Sequence, residues 1–201
     1  MAMVSRVCQL AFIGMIMFCP FYSQAEHMYI SGRDLRTATG EKVVLRGFNQ
    51  LVVYWDIPGR NYSEITKTGA NACRIFWETT WNTPTDLDTT LTACIANEMI
   101  PIIGLWDASG KSLTSTEFDT VMAYWTSPAV VSVLKKHEKY LLINIANEAG
   151  ETGSWTSTKQ TTFNTVYADA INQIRSVGIQ APLIIDCAGW GTAEEYIQNS
   201  Y

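Results

Sequence analysis

Across 201 residues the chain is 47% hydrophobic and 16% charged, with a formal net charge of −5. That balance excludes a disordered or fibrous chain. The scarcity of clustered Lys and Arg argues against a nucleic-acid partner, whose phosphates need them. Seven Trp and nine Tyr serve either as core and rim packing or as stacking platforms for flat, partly apolar ligands such as sugar rings; composition by itself leaves both open.

The chain begins like a secretory signal. Arg6 supplies a positive charge, Val7 to Phe18 is an apolar run too short to span a bilayer, Pro20 breaks it, and Ser23 to Ala25 offers small residues to a signal peptidase. The expectation is cleavage after Ala25, with residues 1–25 as signal peptide and an exported product, extracellular or periplasmic; an uncleaved anchor is the alternative. No later segment is apolar enough to cross a membrane, so no membrane partner is expected after cleavage. Cys8 and Cys19 leave with the signal. Of the remaining thiols, Cys73 and Cys94 fall in a strand and the helix after it, in reach of a disulfide that export permits, and the sequence leaves open whether they bridge. Cys187 reads as a small buried residue. No Cys–His spacing suggests a metal: His27 is isolated, and His137 sits in the charged run KKHEK, which reads as a solvated face.

Next, Thr37 to Lys42 is a glycine-containing turn of a small hairpin that leads into a first core strand, Lys42 to Asn49. Apolar strand-like runs and helical stretches then alternate. Strands are predicted at Ala70–Trp77, Met99–Trp106, Lys139–Ala146 and Ala181–Gly189. Helices are predicted at Asp86–Glu98, where Leu87, Leu91, Cys94 and Ile95 share a face, at Ser115–Trp125, at Pro128–Lys136 and at Thr156–Gly178, with a last one starting near Thr192. Five strands with helices between them predict repeated βαβ units and a parallel sheet covered on both faces.

A doubly wound sheet and a (β/α)8 barrel both fit that pattern. No glycine-rich phosphate loop follows the first strand, whereas polar and aromatic residues follow nearly every strand: Asn49, Arg74 with Trp77, Trp106 with Asp107, Asn147 with Glu148, Asp186 with Trp190. A ring of functional groups at strand C-termini is how barrel enzymes build a site, so the barrel is the expectation, as a partial one. A closed barrel takes about 250 residues, and residues 26–201 carry five predicted strands rather than eight.

Asn147 and Glu148 stand just past the end of the apolar run Tyr140–Ile145. A carboxyl group held rigidly there, among apolar walls that disfavour its charged form, suits a general acid. Glycoside hydrolysis needs one such acid and a second carboxylate as nucleophile or base, and an adjacent amide can bond a sugar 2-hydroxyl. A loop or helix cap is the plainer reading of an Asn–Glu pair taken alone.

The motifs LRGFN, GANACRIF, INIANE and IIDCAGWG, in that order from Leu45 to Gly191, resemble glycoside hydrolase family 5, and are most similar to its bacterial β-mannanases and cellulases. The resemblance covers nearly all of Tyr29 to Gly191. It implies a (β/α)8 barrel and retaining endo-hydrolysis of a β-linked polysaccharide, of mannan or cellulose type, with no metal or cofactor. It implies that Glu148 is the general acid/base, that Asn147 contacts the substrate, that Arg74 orients the nucleophile, and that Asn49, Trp55 and Trp190 line the cleft. Two departures stand out. Trp106, in GLWDASG, occupies the place where the family usually carries a His; it can stack against substrate but cannot take over that hydrogen-bonding role. The family's H-x-Y motif, its nucleophilic Glu and a later Trp have no counterpart before Tyr201. Residues 26–201 are therefore expected to be an incomplete barrel catalytic domain with half of a site. The alternative is a non-catalytic carbohydrate-binding or interaction protein on a truncated, degenerate barrel; an unrelated exported α/β protein is a more distant third.

Overall fold

The computed structural model describes residues 26–200; the expected signal segment lies outside them. Three short strands open the fold: β1 (Tyr29–Ser31), β2 (Asp34–Arg36) and β3 (Lys42–Val43), paired antiparallel in that order. The sequence predicts one strand from Lys42 to Asn49, and the structure breaks it. Residues 44–46 belong to neither sheet, because the Asn71 side chain takes up their backbone groups. Its Oδ1 accepts from Arg46 N at 2.7 Å and its Nδ2 donates to Val44 O at 2.9 Å. Gly47 resumes the strand where the backbones run so close that a Cβ would overlap the Ala72 carbonyl.

The main sheet is parallel throughout, with β4 (Gly47–Gln50), β5 (Ala72–Trp77), β6 (Ile100–Leu105), β7 (Leu142–Asn144) and β8 (Leu183–Ile184) lying side by side in chain order. A doubly wound sheet reverses its strand order at a switch point; this one never does. Successive βα units that always add to the same side make the first part of a barrel. The connections carry α1 (Val52–Trp55), α2 (Tyr62–Thr66), α3 (Pro84–Ala96), α4 (Thr116–Thr126), α5 (Pro128–His137) and α6 (Ser157–Ser176). Their starts follow from capping chemistry. Thr83 and Asp86 form a reciprocal box at α3, Ser115 accepts from Phe118 N at α4, and Thr156 accepts from Lys159 N at α6. The α6 segment ends at Gly178, whose φ of 83° is a left-handed conformation that glycine adopts freely.

Alternate residues of β5 separate the two faces. Cys73, Ile75 and Trp77 are fully buried in one apolar cluster with Leu87, Leu91 and Cys94 of α3, while Arg74 and Phe76 point to the barrel interior. Two tryptophans prove to be core: Trp77 donates to the Tyr124 hydroxyl and Trp125 to the Ile145 carbonyl, each at 2.8 Å. Cys73 and Cys94 are both free thiols. Cys94 Sγ donates to Met99 O at 3.7 Å, and the neighbouring Cys73 thiol, with burial second, raises the Cys94 thiol well above its ordinary value. Cys187 is half-buried rather than buried. His137 is not on a solvated face: α5 packs on α3, His137 is 7% exposed, and its Nε2 lies 2.6 Å from Asp88 Oδ1.

Candidate active site

Arg74, at the middle of β5, is the hub of the strand C-termini. One guanidinium nitrogen, Nη2, donates to Asn144 Oδ1 and Asn147 Oδ1, each at 2.7 Å, and to Asp186 Oδ2 at 3.1 Å. These residues come from β7, the loop after it and the segment after β8. Asp186 closes the network: Oδ2 also accepts from the Glu148 backbone N–H at 3.0 Å, and Oδ1 from Asn144 Nδ2 at 3.1 Å. Asn147 Nδ2 donates to Ser109 Oγ at 2.9 Å, and its backbone N–H to Leu105 O at 2.8 Å. Among the described residues Arg74 Nη1 and Nε make no hydrogen bond.

The network settles how Glu148 is held. Asn147 is buried at 4% exposure, so its amide braces the site from within, with one N–H left for another partner. Glu148 follows with φ 46°, a left-handed conformation uncommon for a residue with a side chain. Its N–H is tied to Asp186 and its carbonyl accepts from Gly110 N at 3.0 Å. The half-buried side chain lies against Gly191, where a Cβ would come within 3.3 Å of Glu148 Cγ.

The other predicted site residues take different places. Asn49 pairs with Arg74 in register, on the exposed strand β4. Trp106 is half-buried. Its ring packs on Phe76, centroids 4.4 Å apart, and Phe76 in turn lies under the Arg74 guanidinium. The Trp106 indole N–H is buried with no partner among the described residues. Trp55 is 82% exposed and Trp190 is 56% exposed. Asp186, one of the polar residues that follow the strands, is a hydrogen-bonding group with both oxygens occupied.

Three groups escaped sequence reasoning. Asn144 is the one polar residue in the apolar run Leu141–Ile145, which was the available signal; it fits because Gly104 opposite has no side chain, and a Cβ there would come 2.8 Å from Asn144 Oδ1. Ser109 gave no signal. Trp81 is 61% exposed and meets the Tyr54 ring edge-on at 4.6 Å. The Tyr54 hydroxyl donates to Glu78 Oε1, and that bond, with some burial, pushes the phenol up to about 12. Among the described residues no cluster of three or more acidic, His or Cys side chains is placed to hold a metal.

A parallel sheet that adds each βα unit to the same side, with polar side chains gathered at its strand C-termini, defines the (β/α)8 barrel class, here as a partial barrel. Within that class, the chain belongs to the cellulase family, glycosyl hydrolase family 5, whose sequence model matches residues 36–201. It is 28% identical over 184 residues to a mannan endo-1,4-beta-mannosidase of Cellvibrio japonicus, covering 89% of this chain and 41% of that protein. A second mannan endo-1,4-beta-mannosidase, of Salipaludibacillus agaradhaerens, is 29% identical over 181 residues, covering 85% and 54%. The chain thus spans about half the length of these curated relatives. The β-mannanase of Thermomonospora fusca, solved with mannohexaose, superposes with a TM-score of 0.75 at 25% identity, over 87% of this chain and 60% of that one.

Proposed function

We propose that this chain is the acid-bearing part of an exported, retaining endo-glycanase that cleaves a β-linked polysaccharide, with mannan ahead of cellulose-type glucan. Glu148 is the general acid/base, and residues 1–25 are the signal that exports the protein. The observation that carries the reading is the clamp on Glu148: its N–H is held by Asp186, Asp186 by Arg74, and its backbone is fixed in a left-handed turn just past β7. A retaining site places its two carboxyl groups ~5–5.5 Å apart. Asp186 is spent on hydrogen bonds, and in this reading the nucleophile comes from outside the described residues. The unpartnered Nη1 and Nε of Arg74 are the donors that would orient it. Asn147 has one N–H to offer a sugar hydroxyl, and Trp55, Trp190 and Asn49 line the face on which the polysaccharide lies. The mannan preference rests on the two mannosidase relatives.

The test is mannan hydrolysis by the protein as its host secretes it, with an intact mass recorded on the same sample. Glu148→Gln is expected to lower kcat by roughly 10²–10⁴ while mannohexaose still binds. Undiminished hydrolysis by the variant would remove Glu148 from the reaction. The second reading, a carbohydrate-binding protein without activity, is favoured by Trp106, which stacks and donates but takes no proton. It predicts saturable mannohexaose binding, unchanged in Glu148→Gln, and no hydrolysis at any enzyme concentration.

A further inference from the structure

Gly110 lies in the loop after β6 with φ 65°. A Cβ on it would overlap the six-membered ring of the Trp190 indole. The indole therefore rests on bare backbone, and with 56% of the residue exposed it keeps much of its surface open to solvent. Trp190 itself sits in a run of three left-handed residues, Gly189 at φ 62°, Trp190 at 60° and Gly191 at 73°. Such a run is disfavoured for a residue with a side chain and persists only where the surroundings fix it. The surroundings here are Gly110 below the ring and Glu148 beside Gly191, whose missing Cβ would stand 3.5 Å from Glu148 Oε1. Gly110 N also donates to the Glu148 carbonyl at 3.0 Å, and Gly150 N donates to Lys111 O at 2.8 Å. The loops after β6, β7 and β8 thus interlock through positions without side chains.

We infer that Gly110 is a positioning residue: by having no side chain it seats the Trp190 indole as a platform beside Glu148 for the apolar face of a pyranose ring. The ligand class rests on the functional reading above; the seating of the indole does not. A flat ring supported from below and open above is the surface on which sugar C–H groups pack, and an amphipathic aromatic supplies it with little conformational freedom to lose. Gly110 touches no substrate in this scheme and acts through Trp190.

The experiment uses the full chain in four forms: the parent, Gly110→Ala, Trp190→Ala and the double variant. Gly32→Ala is the control, because Gly32 has φ 60° and a Cβ added there would meet nothing within 4 Å, so it carries the backbone strain without the collision. The first readout needs no sugar. With 5-fluorotryptophan in the protein and the Trp190 fluorine signal assigned by Trp190→Phe, Gly110→Ala is expected to shift or broaden that signal and Gly32→Ala to leave it in place. An unmoved Trp190 signal in Gly110→Ala overturns the proposal. The second readout is mannohexaose affinity by fluorescence titration. Gly110→Ala and Trp190→Ala should each weaken binding about tenfold, the scale of one lost aromatic platform, and the double variant should lose no more than either. Losses that multiply in the double variant mean that Gly110 acts apart from Trp190, and the proposal falls. A parent protein that binds no mannohexaose overturns the functional reading, while the fluorine spectra still decide the seating. If Gly110→Ala does not fold, Gly110→Asn carries the same Cβ and tolerates a left-handed φ.

Discussion

Arg74 shows how a single atom organises a site. Its Nη2 serves Asn144, Asn147 and Asp186, and Asn144 and Asn147 are buried. Replacing Arg74 by Met keeps the length of the side chain but strands three polar groups and leaves the half-buried Asp186 carboxylate without its cation. Leaving such groups unsatisfied costs about 1–3 kcal/mol, and urea unfolding of Arg74→Met should show a loss of that order; a change below about 0.5 kcal/mol would mean that water replaces the network. Arg74 and Asn147 stood out in the sequence because polar residues next to apolar runs are conspicuous. Their partner Asp186 lies 112 residues from Arg74, and no local pattern announces so distant a bond.

The elements are joined to a notable degree through tyrosines. Tyr54 of α1 is raised to about 12 by its bond to Glu78, with burial second. Tyr62 of α2, Tyr124 of α4 and Tyr167 of α6 are raised further, each chiefly by burial. All four hold their protons in the folded state past the unfolded value near 10. Their contribution to stability is thus complete below pH ~10 and is lost above it, as the unfolded chain ionises first. Cys94, raised in the same sense, begins its loss about one pH unit lower. Thermal midpoints followed by circular dichroism from pH 8 to 11.5 should fall progressively above pH ~9–10, and a flat profile would contradict these placements. Helix positions were legible because the spacing of apolar residues is local: Leu87, Leu91 and Cys94 of α3 do share its buried face. The interruption of the first strand was not, because it depends on Asn71, 25 residues away from Arg46.

At the scale of the molecule, the five-stranded sheet has an outer partner at neither β4 nor β8 among the described residues. Phe48, which pairs in register with the fully buried Cys73, is itself 48% exposed, and Val44, Leu45 and Leu51 nearby are 54%, 39% and 40% exposed. Unpaired edges and apolar patches promote association. Residues 26–201 produced by themselves should accordingly form oligomers or precipitate in size-exclusion chromatography with light scattering, and a monodisperse, cooperatively unfolding monomer would refute this.

Strand and helix order and the family motifs were legible from residue types at short spacing, and Arg74, Asn147 and Glu148 were singled out in the same way, because alternation of apolar runs and turns is written locally. Tertiary structure alone decided that the sheet winds in one direction, that His137 is buried against Asp88, that Asn144 and Asp186 complete the Arg74 network, and that Gly110 and Trp190 meet. Each of these joins residues dozens of positions apart, through backbones brought close only where a side chain is missing or a buried polar group has found its partner.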